Sequence, residues 1–172
     1  MTLALHALAV DTFAPMLEGL AGVIDAGAAH VAGSGVDLPG ARLAPDMFTL
    51  AEQVQTACRQ ARDAMARLSG REPDAAEPVG ATVEDLKSQI SATVAALRAV
   101  PASALDGAEA LDCTIRLPVG GSIPLTADQY LIRWALPHFY FHVVTAYDIV
   151  RHLGAPVGKR DYLSGLAPLI RT

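Results

Sequence analysis

Cysteine is scarce in this chain: there are two in 172 residues, Cys58 and Cys113. They stand far apart, without the close spacing of a zinc knuckle or a CxxC redox motif, and so read as two free thiols in a reducing cytoplasm. Basic charge is also in short supply, with 13 Lys and Arg against 18 Asp and Glu and a formal net charge of -5. Only Lys159 and Arg160 are adjacent. Phosphate contacts need clustered cations, so the composition excludes nucleic acid as a partner. A long uncharged apolar run is missing as well. The opening MTLALHALAVDTF lacks the basic start of a secretion signal and is interrupted by Asp11, so it reads as mature helix. No stretch reaches the roughly 20 uncharged apolar residues of a membrane span. The expectation is a soluble, cytoplasmic protein.

What is present is apolar residue at helical spacing. Hydrophobic residues make up 52% and charged residues 18% of the chain, which suits a packed core; the length suits one domain over 1–172. Leu5, Leu8, Phe13, Met16, Leu20, Val23 and Ile24 predict a first helix from about Leu3 to Val31, kinked by Pro15 and ended by Gly33-Ser34-Gly35. Met47, Leu50, Val54, Ala57, Ala61, Met65 and Leu68 predict a second from Asp46 to Leu68. After the Pro- and acid-rich REPDAAEPVG, Thr82 with Asp85 opens a third helix, which Pro101 closes. Cys113, Ile115 and Leu117 alternate with Thr114, Arg116 and Pro118 before Gly120-Gly121, which predicts a small β-hairpin with short edge strands. Thr126 and Gln129 open a fourth helix running to about Leu153, with a kink at Pro137. Its row Ile132, Leu136, Phe139, Val143, Ala146 and Val150 faces the core. The tail has enough Leu and Ile to dock as a strap. The class is an all-α four-helix bundle with a hairpin between helices 3 and 4.

Chemistry concentrates on the fourth helix. His138 and His142 are four residues apart, so both imidazoles leave the same side of the helix on a flank of the core row. Such a pair can hold one metal ion from a single helix. The Glu of HExxH is absent, which argues against a zinc protease, and the spacing alone equally fits two packed, hydrogen-bonded histidines. The second helix offers no His; its inward-capable polar residues are Asp46, Gln53 and Gln55, while His6 and His30 lie towards opposite ends of the first helix. Tyr140, Tyr147 and Trp134 read as packing or interface residues, His152 as a partner for the last carbonyls, and Cys58 as a structural thiol.

The stretch LPHFYFHVVTAYDIVRHLGAPVGKRDYL, with PDMFTLAEQVQTACRQARDAMARLSG and LDCTIRLPVGGSIPLTADQYL, resembles an uncharacterised bacterial and fungal family of the DinB/YfiT-like superfamily over nearly the whole chain. The resemblance implies an up-down-down-up bundle, frequent homodimers, and a divalent metal held by one histidine on the second helix and an HxxxH pair on the fourth. His138 and His142 match that pair. No residue matches the second-helix histidine; a bound water would complete the shell, assisted by Gln53, the metal residue expected on that helix, or by Asp46. Two functions follow: a DinB-like metal-binding protein of unassigned reaction, with zinc, nickel or iron on His138, His142 and Gln53, or a non-catalytic bundle, dimeric or binding a small molecule, that has lost the metal triad.

Overall fold

Threonine caps fix where the second, third and fourth helices begin. The computed structural model describes residues 4–75, 77–117, 119–169 and 171. Helix α1 is Leu5–Val31, α2 is Leu50–Leu68 and α3 is Val83–Ala99. The fourth helix is composite: α4 at Ala127–Tyr130, a π-helical turn at Leu131–Ala135, and α5 at Leu136–His152. Thr82 closes its box with Asp85, and the backbone N–H of Thr126 donates to Gln129 Oε1, as their spacing predicts. Helix α2 starts later than expected. The Glu52 N–H donates to Thr49 Oγ1 at 3.2 Å and the Thr49 N–H to Glu52 Oε2 at 2.7 Å, a reciprocal cap that stops the helix at Leu50. Asp46 therefore stays exposed in the preceding loop. The expected start at Leu3 and the strand-limiting Pro118 lie outside the described residues.

Cross-helix partners set the direction of each element. Asp25 pairs with Lys87 and Glu18 with Arg98, so α1 and α3 are antiparallel. Gln53 meets His142 and Arg67 meets Tyr130, so α2 runs against the fourth helix. Phe13 packs edge-on to Phe139 at 4.8 Å, and a β-carbon at Gly27 would lie 2.9 Å from Val150 Cγ1, so α1 and α5 run together. The result is an up-down-down-up bundle whose four helices share one core. By length and apolarity α1 could cross a membrane, but half of that stretch is buried within the bundle.

The link before α4 makes 3₁₀ turns at Ala102–Leu105 and Ala108–Ala110. It then forms the hairpin of β1 (Ile115–Arg116) and β2 (Ser122–Ile123), with Ile115 opposite Ile123. Gly120 and Gly121 turn it at φ 92° and 90°, a region that disfavours side chains. After α5, helix α6 (Lys159–Tyr162) and the 3₁₀ segment Ser164–Leu169 form the strap on α1. The fit is close: a β-carbon at Gly19 would lie 3.1 Å from the Tyr162 carbonyl oxygen.

Helix α1 runs unbroken through Pro15. Pro137 acts differently. Lacking an N–H, it cannot serve the carbonyl of Arg133. The turn before it widens, with the Leu136 N–H donating to the Leu131 carbonyl five residues back. This re-phases the helix: Leu131, Ala135, Phe139 and Val143, spaced by four, are all buried. Ile132, expected in the core row, is 57% exposed, because a uniform 100° per residue does not hold through a π turn.

If the reciprocal cap sets the start of α2, Thr49→Ala lowers stability by about 1 kcal/mol, while Thr49→Ser keeps most of it. Urea unfolding followed by circular dichroism measures both.

Candidate functional site at the histidine pair

The re-phased fourth helix brings two imidazoles to the α2 seam. His138 and His142 lie one turn apart, with ring centroids separated by 5.1 Å and planes tilted by 36°. His142 is 4% exposed and Gln53, opposite it on α2, is 1% exposed; His138 is half-buried. Nδ1 of His142 is 2.7 Å from Gln53 Oε1. A carbonyl oxygen only accepts, so Nδ1 carries the proton and Nε2 keeps its lone pair. The far side of the same amide fixes this sense: Gln53 Nε2 donates to the Phe48 carbonyl at 3.4 Å. Turning the amide over would set two oxygens against each other. One buried side chain thus links the loop before α2, α2 itself and α5.

Aromatic rings wall the pair. Phe48 stacks on His142 at 6.2 Å and 15°, Phe141 meets it at 5.3 Å and 90°, and Trp134 meets His138 edge-on at 5.7 Å. Phe48 and Phe141 are 50% and 58% exposed, so the wall is also part of the molecular surface.

Burial is the first cause that lowers the proton affinity of both histidines. It drives His142 down to about 4, helped by the neighbouring His138 and the positive field of Arg59. Burial and then Arg59 lower His138 in the same direction. Both rings are therefore neutral near pH 7 and present lone pairs. A base as weak as His142 is poorly matched to proton abstraction at that pH. Its unprotonated nitrogen is matched to coordination, which competes with protons.

The other residues singled out by sequence lie elsewhere. Asp46 is exposed in its loop, and Gln55 Nε2 donates to the Glu77 carbonyl. His6 Nε2 contacts the Val100 carbonyl at 2.8 Å, and His30 is exposed near Gly154. His152 is exposed at the end of α5. Burial raises the Cys58 thiol to about 11 and also raises Cys113, so both stay protonated near neutrality. Among the described residues, no three His, Cys, Asp or Glu side chains gather as a metal cluster. Phe48 and Arg59 are not visible as neighbours of the pair in the sequence: Phe48 falls inside the predicted second helix but outside its apolar series, and Arg59 lies largely on the side away from that series.

Low proton affinity carries a stability signature. The unfolded chain binds a proton at His142 first as pH falls from 6.5, so the stability due to its neutral burial is complete above 6.5 and is lost towards 4. In metal-free protein, the stability difference between wild type and His142→Gln shrinks over that window by up to about 3 kcal/mol. Denaturant titrations at stepped pH read it out.

Comparison with known proteins places the fold. No curated protein compared with the chain matches it. A solved structure, described as that of a DinB family member protein from Shewanella denitrificans, is 34% identical, with 92% of this chain and 91% of that one covered and a TM-score of 0.83. The bundle here is therefore DinB-like. The family described as Domain of unknown function (DUF1993) matches residues 5–163, and the chain belongs to that family.

Proposed function

We propose that this chain is a DinB-like metal-binding protein in which His138 and His142 take one divalent ion, zinc, nickel or iron, and Gln53 completes the site by orienting His142. The observation that carries the reading is the Gln53 to His142 bond, which holds the ring proton on Nδ1 and leaves Nε2 with its lone pair, on a ring whose centroid lies 5.1 Å from that of a second neutral imidazole. Ligating histidines characteristically donate their other N–H to a carbonyl or carboxylate. The donor set suits these metals, since imidazole is a common ligand of zinc, nickel and iron. Two rings are fewer than the three protein ligands usual in catalytic zinc sites, so solvent or substrate has to supply the rest. When bound, such an ion supplies Lewis acidity and makes a bound water or thiol more acidic. The chain's own contribution is to hold both rings neutral, fix one tautomer and wall the pair with aromatic surface.

The second reading is a non-catalytic bundle, dimeric or binding a small molecule. It draws on the absence of a third donor among the described residues and on the exposed Phe48, Phe141 and Val144 near His142, a surface suited to a homodimer. A cytoplasmic setting fits two thiols that are free and buried.

Metal uptake separates the two. Purified without chelator and titrated calorimetrically with zinc, nickel or ferrous iron, the wild type takes up one equivalent. His142→Ala and His138→Ala abolish saturable uptake, and Gln53→Ala weakens it by about 10- to 100-fold. Absence of stoichiometric uptake, or uptake unchanged in His142→Ala, overturns the metal reading and leaves the non-catalytic one.

A further inference from the structure

We infer that the cavity between α2, α3 and the segment joining them is a second ligand site, for a small zwitterion with an apolar side chain, of the type of an aliphatic α-amino acid. It stands independently of the metal reading.

The topology creates the cavity. Helices α2 and α3 run in the same direction, so the segment between them must travel back along the bundle. It is anchored at both ends. The Arg71 N–H donates to the Ala66 carbonyl at 2.9 Å. Further on, the Glu77 carbonyl accepts from Gln55 Nε2. The Glu77 carboxylate pairs with Arg62 at 3.2 Å and accepts from Gln89 Nε2 at 3.4 Å. Donors from both helices thus hold one residue, and Arg71, Asp74, Ala75 and Glu77 line, with the two helices, a cavity of about 210 Å³. That is smaller than the roughly 300–1,000 Å³ of drug-sized sites.

The lining selects the chemistry. Leu97 and Val100 contribute apolar surface, and six charged side chains, Arg59, Arg62, Arg71, Asp63, Asp74 and Glu77, surround it. Arg62 is already committed: its guanidinium is paired with Glu77 and donates to Thr93 Oγ1 at 2.9 Å. Among the described residues the remaining four, two of each sign, form no ion pair within 4.0 Å although they line the same cavity. Asp63 is half-buried among three arginines, and desolvation raises its carboxyl. Arg71 Nε donates to Ser69 Oγ at 3.3 Å, and Arg59, Arg71 and Asp74 are exposed; charge of both signs without an ion-pair partner therefore borders one small space that is part-lined by apolar surface. A pure anion would meet Asp63 and Asp74, and a pure cation would meet Arg59 and Arg71. A molecule carrying a carboxylate and an ammonium on one carbon can satisfy both sets: guanidinium groups take the carboxylate as a charge-assisted fork, carboxylates take the ammonium, and the alkyl chain covers Leu97 and Val100.

The test uses metal-free, full-length protein and three isosteric probes followed by ligand-observed NMR: L-leucine, 4-methylpentanoate, which lacks the ammonium, and isoamylamine, which lacks the carboxylate. Leucine binds saturably, and each single-charge probe binds at least about tenfold more weakly. Arg71→Gln weakens leucine about tenfold without altering isoamylamine. The proposal is overturned if leucine fails to saturate up to about 10 mM, if the three probes bind alike, or if Arg71→Gln has no effect.

Discussion

One buried hydrogen bond, from His142 Nδ1 to the side-chain oxygen of Gln53, carries the chemistry of this bundle. Both partners are almost fully excluded from solvent, where an unpaired polar atom costs about 1–3 kcal/mol. Each therefore needs the other, and the pairing fixes the register of α2 against α5 as well as the tautomer of the ring. The same amide reaches the Phe48 carbonyl, so the loop that carries the aromatic wall is tied to the bond it covers.

The backbone upstream makes this meeting possible. Pro137 withholds an N–H, the turn before it widens, and the helix enters its last stretch with Phe139 and Val143 in the core and the histidines on the seam. A π turn just ahead of a candidate site is a recurrent association, and here its origin is a specific missing donor. Burial then does to the rings what a nearby carboxylate would undo: it keeps them neutral. With Arg59 adding positive field and no acid contributing, the pair is tuned for donating lone pairs and poorly tuned for holding protons.

Much of this could be read from the chain alone. Apolar spacing and the Thr82 and Thr126 boxes mark α3 and the fourth helix, the Gly120-Gly121 turn marks the hairpin, and the HxxxH spacing puts both rings on one side. The start of α2 was misplaced at Asp46 because apolar Met47 continues the stripe, whereas the boundary is set by Thr49 and Glu52. Ile132 was misplaced because a period of 100° per residue carries no sign of a widened turn. Gln53 was legible as a polar residue on an inward face. Its hydrogen bond to a ring 89 residues away was not, since no local pattern encodes which partner a buried amide finds. The cavity beneath the joining segment was equally hidden, because that segment reads as an ordinary surface linker.

The most direct measurement is the protonation of the two His142 ring nitrogens, obtained from long-range proton–nitrogen correlation spectra of ¹⁵N-histidine-labelled, metal-free protein near pH 7. The account predicts a neutral ring with its proton on Nδ1 and a bare Nε2. A proton on Nε2, or a doubly protonated ring, would contradict it.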